Sequence, residues 1–441
     1  MTGMADNPGP LASAVRRVRR RILPVLVGLF VLNYLDRVNV GFIQVHLRTD
    51  LGLDSAAYGL GAGLFFVGYA LLEVPSNLVL QRVGARAWLA RIAVSWGCVA
   101  AAMAFVQTPG QFLALRFLLG AAEAGFFPGV LYYLTLWLPA ADRGRAVAVF
   151  LSGSAAASIL SGPLAGALMQ IQGHGLAGWR WMLLVEGLAS VAAGLVAWRW
   201  LDARPRDARW LTREEREALE GAVQLEQRER ERAHDGGARP RVSRLLMEPQ
   251  VALFCAVYFS VQLTIYAATF WLPRLIRDMG EMSDLRVGWL NSIPWALSVV
   301  GMMLAAAGAA RWQHPRAWLA GALVVAGIGQ WASTLGGPVA GFACLCVAAL
   351  GFKSASSLFW PIPQAQLDAR ISAAVLALVN SVGNLGGFVA PTVFGWLEKT
   401  TGSVHAGLRG LALASVLTAV LVFLIRVPKM TQPNDGQRRA S

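Results

Sequence analysis

Charged residues interrupt two long apolar stretches, at Asp36 and Arg37 in one and at Arg116 and Glu123 in the other. Both stretches are long enough to cross a bilayer, and hydrocarbon is the worst solvent for an ion. One such residue at mid-membrane costs roughly 2.5–3.5 kcal/mol even on lenient insertion scales. Two acids and two arginines kept at that depth imply a polar interior shielded from lipid. The planar fork of arginine donates two parallel hydrogen bonds to a carboxylate. A buried acid suits proton carriage: desolvation favours its neutral form, a nearby guanidinium favours its ionised form, and a bound anion that neutralises the guanidinium tips the balance to the proton. These four side chains could therefore couple an organic anion to H⁺. A structural ion network locking the N-terminal half is the alternative, and the two can coexist.

Spacing orients these groups. Arg116, Gly120 and Glu123 follow i, i+4, i+7 and share a helix face. Asp36 and Arg37 are adjacent, so they point about 100° apart on a helix and make a poor pair with each other. Tyr34, Arg37 and Gly41 lie closer to one stripe. Tyr69, Gln262, Tyr266, Asn380 and Asn384 are neutral polar residues within apolar runs, expected to face a cavity or another helix. They suit the hydroxyls of a sugar acid; helix–helix hydrogen bonding is the other reading. Glu73 is expected to serve a gate or a structural role. Lys353 sits too deep for easy snorkelling, with no acid on its own helix, and is expected to line the cavity opposite Arg37. Two cations could then hold both ends of a dicarboxylate. The alternative is a lysine that reaches a cytoplasmic cavity or helix carbonyls. Trp137, Trp179 and Trp181 read as interfacial anchors.

The elements that must position these residues are long apolar helices. The chain has 441 residues, 56% of them hydrophobic and 15% charged, with a mean hydropathy of +0.51. A soluble domain is about 25% charged. Each span needs roughly 20 apolar residues, which predicts twelve spanning helices: 22–43, 58–79, 87–106, 112–136, 146–170 and 180–201, then 250–273, 286–310, 317–335, 339–362, 373–397 and 404–427. This gives a tail (1–21), an N-terminal six-helix half (22–201), a linker (202–249), a C-terminal half (250–427) and a second tail (428–441). Thr212 with Glu215 makes a capping box that should start a linker helix, Glu226 and Arg230 are spaced to pair along it, and Asp235-Gly-Gly-Ala ends it. The net charge of +14 comes almost wholly from arginine. Arginines flank the spans at alternate loops, the positive-inside pattern, which puts both termini and the linker in the cytoplasm. It also argues against nucleic acid as the partner.

Several motifs in order carry a resemblance. They are Asn33-Tyr-Leu-Asp-Arg-Val-Asn39, Gly68-Tyr-Ala-Leu-Leu-Glu-Val-Pro-Ser-Asn77, Arg116-Phe-Leu-Leu-Gly-Ala-Ala-Glu-Ala-Gly-Phe-Phe-Pro-Gly129, Ala177-Gly-Trp-Arg-Trp-Met182 and Asn380-Ser-Val-Gly-Asn-Leu-Gly-Gly-Phe-Val-Ala-Pro391. Together they resemble the anion:cation symporter branch of the major facilitator superfamily, over roughly residues 20–428. The nearest patterns are bacterial permeases for tartrate, sugar acids, phthalate and hydroxyphenylacetate. The resemblance implies an all-α membrane protein of the major facilitator fold, with a substrate site between the halves at the midplane. It implies Arg37 as the ligand of the substrate carboxylate, Asp36 and Glu123 as protonation sites, and Arg116 as the partner of Glu123. It places the chain in a bacterial inner membrane, as a monomer. One departure is Gln81, where the superfamily's first cytoplasmic loop usually carries an acid. Lys353 is not a branch-wide feature either.

Other function classes lack their residues. No Gly-rich phosphate loop supports ATP drive. Cys98, Cys255, Cys344 and Cys346 lie in apolar surroundings as small hydrophobes. The five histidines fall at segment ends or in loops, so no metal or haem motif forms, no cofactor is expected, and a membrane-embedded enzyme is disfavoured. The expected function is proton-coupled import of a small organic anion, such as a hydroxy-dicarboxylate, sugar acid or aromatic carboxylate. The rivals are a proton-driven exporter of drug-like compounds and a transporter-like sensor that binds without turnover.

Overall fold

The computed structural model describes residues 9–173, 175–234, 248–312, 314–366 and 369–425. Among them the chain is helical apart from loops and an isolated bridge between Gly173 and Leu176. The turn expected at Asp235 and the tail 428–441 lie outside the described residues.

An amphipathic helix α1 (Pro10–Arg21) leads into α2 (Leu23–Val38), which tightens into a 3-10 turn at Asn39–Gly41. A short α3 (Gln44–Leu51) precedes α4 (Ser55–Val83), α5 (Ala85–Ala102), α6 (Pro109–Glu123), α7 (Phe126–Trp137), α8 (Ala140–Leu168) and α9 (Gly178–Trp200). After the linker helix α10 (Arg213–His234) come α11 (Pro249–Arg277), α12 (Asp284–Trp312), α13 (Pro315–Ala332), α14 (Pro338–Phe359), α15 (Pro361–Gln366), α16 (Ala369–Thr401) and α17 (Val404–Leu424). Among the described residues, eleven helical stretches are long and apolar enough to cross a membrane. The expected twelfth is α13, whose 18 residues include Arg316 and Gln330. It packs along α14 and α17 as part of the second bundle. Large apolar side chains stay exposed in helical register on outer faces, as at Leu413, Leu417, Val420 and Leu424 of α17. Such a surface suits lipid.

Two predicted spans are broken. The run 112–136 divides between α6 and α7 because Gly125 takes a left-handed φ of 87°, which ends the first helix. Pro128 then falls in the first turn of α7, where its missing N–H costs nothing. Glu123 is thereby the last residue of α6. The run 339–362 stops at Trp360, before Pro361 and Pro363.

The halves meet at the end of the bundle away from the linker helix. There α4 packs on α16 and α8 on α12. A Cβ on Gly162 would meet the Gly288 backbone, and one on Gly288 would meet Gly162, so the two helices cross with backbone in contact. Polar links gather at the same end: Ser292 Oγ donates to the Ile159 carbonyl at 2.5 Å, and Lys399 Nζ lies 2.8 Å from Asp54. The Tyr58 hydroxyl sits 3.2 Å from the Val40 carbonyl and 3.1 Å from that of Phe270. His46 Nε2 lies 3.3 Å from Asp284, which also pairs with Arg277.

The linker helix clasps the first half. Thr212 Oγ1 accepts from Glu215 N at 3.2 Å, and the Glu215 carboxylate accepts from Thr212 N at 2.9 Å, so the capping box forms. The same carboxylate accepts from Ser13 Oγ at 2.7 Å and lies 3.2 Å from Arg17 Nε. Burial alone would push the Glu215 carboxyl up. Ser13, the Thr212 amide and Arg17 outweigh it and hold the group below the usual glutamate range. Glu226 accepts from Arg143 Nη2 at 2.9 Å, tying α10 to α8, while the Arg230 side chain lies outside the described residues.

The tryptophans correct the sequence reading. Trp137 and Trp179 are buried in protein. Trp137 stacks on Trp210 of the linker at 5.8 Å, and Trp179 Nε1 donates to Asp50 at 2.8 Å. Segments outside the spans fold over both rings, which hydropathy of the spans does not reveal.

Candidate functional site at the seam between the halves

Arg37 lies near the end of α2 and Glu123 ends α6. Arg37 Nη2 is 3.1 Å from Glu123 Oε2; the carboxylate is fully buried and the guanidinium side chain is 17% exposed. The resemblance gave Glu123 to Arg116, and the structure corrects that pairing. Arg116 is fully buried and its Nε donates to the Gly61 carbonyl of α4 at 3.3 Å. The i, i+7 spacing puts Arg116 and Glu123 on one face but two turns apart, so Arg37 reaches across from α2 first. Arg116 acts on Glu123 through space instead.

Phe65 separates the two cations. Its ring centroid is 4.9 Å from the Arg37 guanidinium carbon and 5.1 Å from that of Arg116. The sequence analysis missed it, although Phe65 and Tyr69 at i, i+4 form an aromatic stripe on α4. The Tyr69 ring lies 5.4 Å from Arg37. Such contacts contribute about 0.5–2 kcal/mol, the upper end when desolvated. Tyr266 of α11 reaches the same place from the second half: it packs edge-on to Phe66 at 4.5 Å and interacts electrostatically with Arg37 and Tyr34. The structure thus brings Tyr34, Arg37, Tyr69, Glu123 and Tyr266 together.

It does not bring the remaining candidates into contact with Arg37. Gln262 is buried one turn before Tyr266, against Gly386 of α16. Asn380 and Asn384 are half-buried on α16, in register with Gly387, which faces Phe66. Lys353 is half-buried in the second half, its Nζ 6.0 Å from the Trp295 ring of α12. Glu73 is half-buried and within electrostatic reach of Arg37.

Asp36 turns away from this centre, as the angle between adjacent helix positions requires. Its Oδ2 accepts from Trp96 Nε1 of α5 at 3.1 Å and from Ser190 Oγ of α9 at 2.6 Å. The four charges therefore do not converge on one point. Sequence reasoning also missed Glu186, a buried acid of α9 that accepts from Asn39 Nδ2 at 2.8 Å. An acid at mid-span in Val185-Glu-Gly187 is the same signal that singled out Asp36. Among the described residues, no group of three His, Cys, Asp or Glu is placed to share a metal ion.

Two apolar-faced bundles, tied at one end and holding an arginine–carboxylate pair at their seam, define a multi-pass membrane transport protein rather than an enzyme. The chain belongs to the Major Facilitator Superfamily, whose family model matches residues 26–391. It is 39% identical over 431 residues to a "Putative tartrate transporter" of Agrobacterium vitis, covering 97% of each chain. It is 38% identical to a "Quinolone resistance transporter" of Acinetobacter baumannii, covering 93% of this chain and 94% of that one. The fold matches the xylose transporter XylE from E. coli in an inward open conformation, with a TM-score of 0.75 at 14% identity, over 93% of this chain and 97% of that one.

Proposed function

We propose that the protein is a proton-coupled symporter that imports a small organic anion, such as a hydroxy-dicarboxylate, sugar acid or aromatic carboxylate, by alternating access. The observation that carries this reading is the Arg37–Glu123 pair. A substrate carboxylate is a better-shaped partner for the guanidinium than the single contact Glu123 makes. When the anion takes Arg37, the fully buried Glu123 is left without its cation. A buried, unpaired carboxylate is costly, and a proton relieves the cost. Anion and proton therefore bind together. Tyr34, Tyr69 and Tyr266 surround the guanidinium and suit the hydroxyls of such a substrate. Gln262, Asn380, Asn384 and Lys353 are further candidate ligands from the second half, and Arg116 supports the local positive field. Asp36 is a second proton site.

With both termini in the cytoplasm of a bacterial inner membrane, the tied end is periplasmic and the conformation opens inward. The similarity to a tartrate transporter supports a carboxylate as cargo. The similarity to a quinolone resistance transporter favours a second reading, proton-driven export of a drug-like compound. Purified protein in liposomes separates them. Tartrate, gluconate and hydroxyphenylacetate are screened by counterflow, and any that exchanges is tested under a pH gradient. Import requires accumulation on the alkaline side. Accumulation on the acidic side would replace it with export, and binding without counterflow would make the protein a sensor.

A further inference from the structure

Behind the Arg37–Glu123 pair lies a second group of ionisable residues that the proposed cycle uses only in part. Asp36 and Asn39 follow i, i+3 on one strand of backbone, and Glu186 and Ser190 follow i, i+4 on α9. The two pairs interlock: Ser190 Oγ donates to Asp36 Oδ2 at 2.6 Å, and Asn39 Nδ2 donates to Glu186 Oε2 at 2.8 Å. All four side chains are at least nine-tenths buried, with relative exposures of 1% for Asp36, 3% for Asn39, 4% for Glu186 and 0% for Ser190. The interlock brings the like-charged carboxyls of Asp36 and Glu186 within electrostatic reach of each other.

Two observations point to a missing proton. Asn39 Oδ1 and Asp36 Oδ1 are buried and have no donor among the described residues. Asn39 already donates to Glu186 through its amide nitrogen, so a proton on the second Glu186 oxygen would close an acid–amide ring onto Asn39 Oδ1. Asn39 and Glu186 would then both be satisfied, which an ionised Glu186, being acceptor only, cannot achieve, while the Asp36 carboxyl is relieved when the proton sits there instead. The charge count agrees. Asp36, Glu123 and Glu186 set three carboxyls against the two guanidiniums of Arg37 and Arg116, and half-buried Glu73 of α4 adds a further acid within electrostatic reach of Arg37. Acids outnumber cations, and a bound proton reduces the excess. Among the described residues, Arg86 and Arg91 of α5 and Arg180 of α9 are committed elsewhere, to the Trp198 carbonyl, Ser95 Oγ and the Ala104 carbonyl. Trp96 is the residue α5 presents to Asp36, α6 supplies Glu123 and Arg116, and the charged residues of α8, Asp142, Arg143 and Arg145, sit at its linker end.

We propose that Glu186 shares the proton of Asp36, so that the second proton site is a two-acid site roofed by Asn39, Ser190 and Trp96. Two like carboxyls in one dry site repel each other, and one proton held between them relieves the repulsion. Asp36 adjoins Arg37 in sequence, so the charge state of this site acts on the substrate arginine from behind. The proposal rests on the proton-coupled reading for its role in transport, but not for its existence.

The test is infrared difference spectroscopy of the full chain in liposomes, without substrate, over a pH series in H₂O and D₂O. Wild type should keep a carboxylic-acid C=O band at neutral pH. Glu186→Gln and Asp36→Asn each remove the like-charged neighbour, so the remaining acid should lose its band at least about one pH unit lower than wild type does. The double variant should lack the band altogether. Should Asp36→Asn not fold, Ser190→Ala removes only the hydroxyl on Asp36 and should shift the band frequency. The proposal is overturned by a wild-type band insensitive to these variants, by sensitivity to only one of the two acids, or by no band at neutral pH. Because no transport is measured, failure of proton-coupled uptake would leave this result standing, and the converse also holds.

Discussion

If a substrate anion displaces Glu123 from Arg37, replacing that acid should change the pH dependence of binding in a calculable way. Wild type has one carboxylate against the guanidinium, 3.1 Å away. Each bound anion then takes up one proton on the released acid. Linkage makes the sign definite: the bound state holds more protons than the free state, so affinity falls as pH rises. On the alkaline arm the loss is about 1.36 kcal/mol, or tenfold in Kd, per pH unit. Glu123→Gln keeps the shape and removes both the proton and the competing charge, so its Kd should be flat over the same range. The variant also no longer forfeits a charge-assisted contact when the anion binds, about 1.5–3 kcal/mol. At the alkaline end it should bind roughly 10–100-fold tighter than wild type. Calorimetric titration of purified protein with the anion found by counterflow, repeated in buffers of different ionisation enthalpy, gives Kd and protons taken up together. A Glu123→Gln variant that keeps the wild-type slope refutes the displacement mechanism, as does a wild-type slope of zero.

Four further outcomes follow from the same geometry. Arg37→Lys keeps the charge but loses the fork and its stacking on Phe65, so the anion should bind about tenfold or more weakly, read by the same titration. Lys353→Met should impair counterflow of a dicarboxylate while sparing a monocarboxylate, and equal rates for both would remove Lys353 from the site. Gly162→Leu places a side chain against the Gly288 backbone, so the tied end should separate. Labelling of a Ser292→Cys probe by an impermeant thiol reagent, in a Cys98→Ser background, should rise accordingly. Glu215 is held below the usual glutamate range, so its contribution to docking α10 on α1 is complete above that range. It is lost as pH falls through the lowered value. Protease cleavage within α10 should increase for Glu215→Ala at neutral pH, and for wild type only in acid.

The fold was legible because a bilayer leaves a coarse signal: a run of about 20 apolar residues needs no knowledge of tertiary contacts. The reading weakened where that signal is diluted, as in α13 with Arg316 and Gln330. It also weakened where backbone geometry cuts a continuous run, as at Gly125. Asp36, Arg37, Arg116 and Glu123 were legible for a related reason, since an ion is costly in lipid; Glu186 carries the same signal and was missed. Their partners were not. Arg116 and Glu123 share a face, yet Glu123 bonds to Arg37, because helix packing, not spacing along one helix, decides which cation arrives first. Trp137 and Trp179 failed for a third reason. Their cover comes from Trp210 of the linker and from Asp50 of α3, outside the spans, so a rule about membrane interfaces did not apply.

The distribution of charge between the halves bears on how such a carrier can switch. Asp36, Arg116, Glu123 and Glu186 take their contacts from α2, α4, α5, α6, α9 and the Asn39 turn, all within the first half. Glu398, the buried acid of the second half among the described residues, sits at the tied end and accepts from Trp271 Nε1 at 2.9 Å. Across the seam, Arg37 meets Tyr266, a neutral ring. Rocking one half over the other therefore need not separate any buried ion pair, a step that would cost about 3–5 kcal/mol for each uncompensated charge. It has to break backbone contacts, a few hydrogen bonds and two half-exposed ion contacts at the tied end, those of Lys399 with Asp54 and His46 with Asp284. On the proposed reading, the one interior pair that changes is Arg37–Glu123, and the substrate itself replaces it. On that reading, substrate and proton gate the motion because together they change the charge of the Arg37–Glu123 pair.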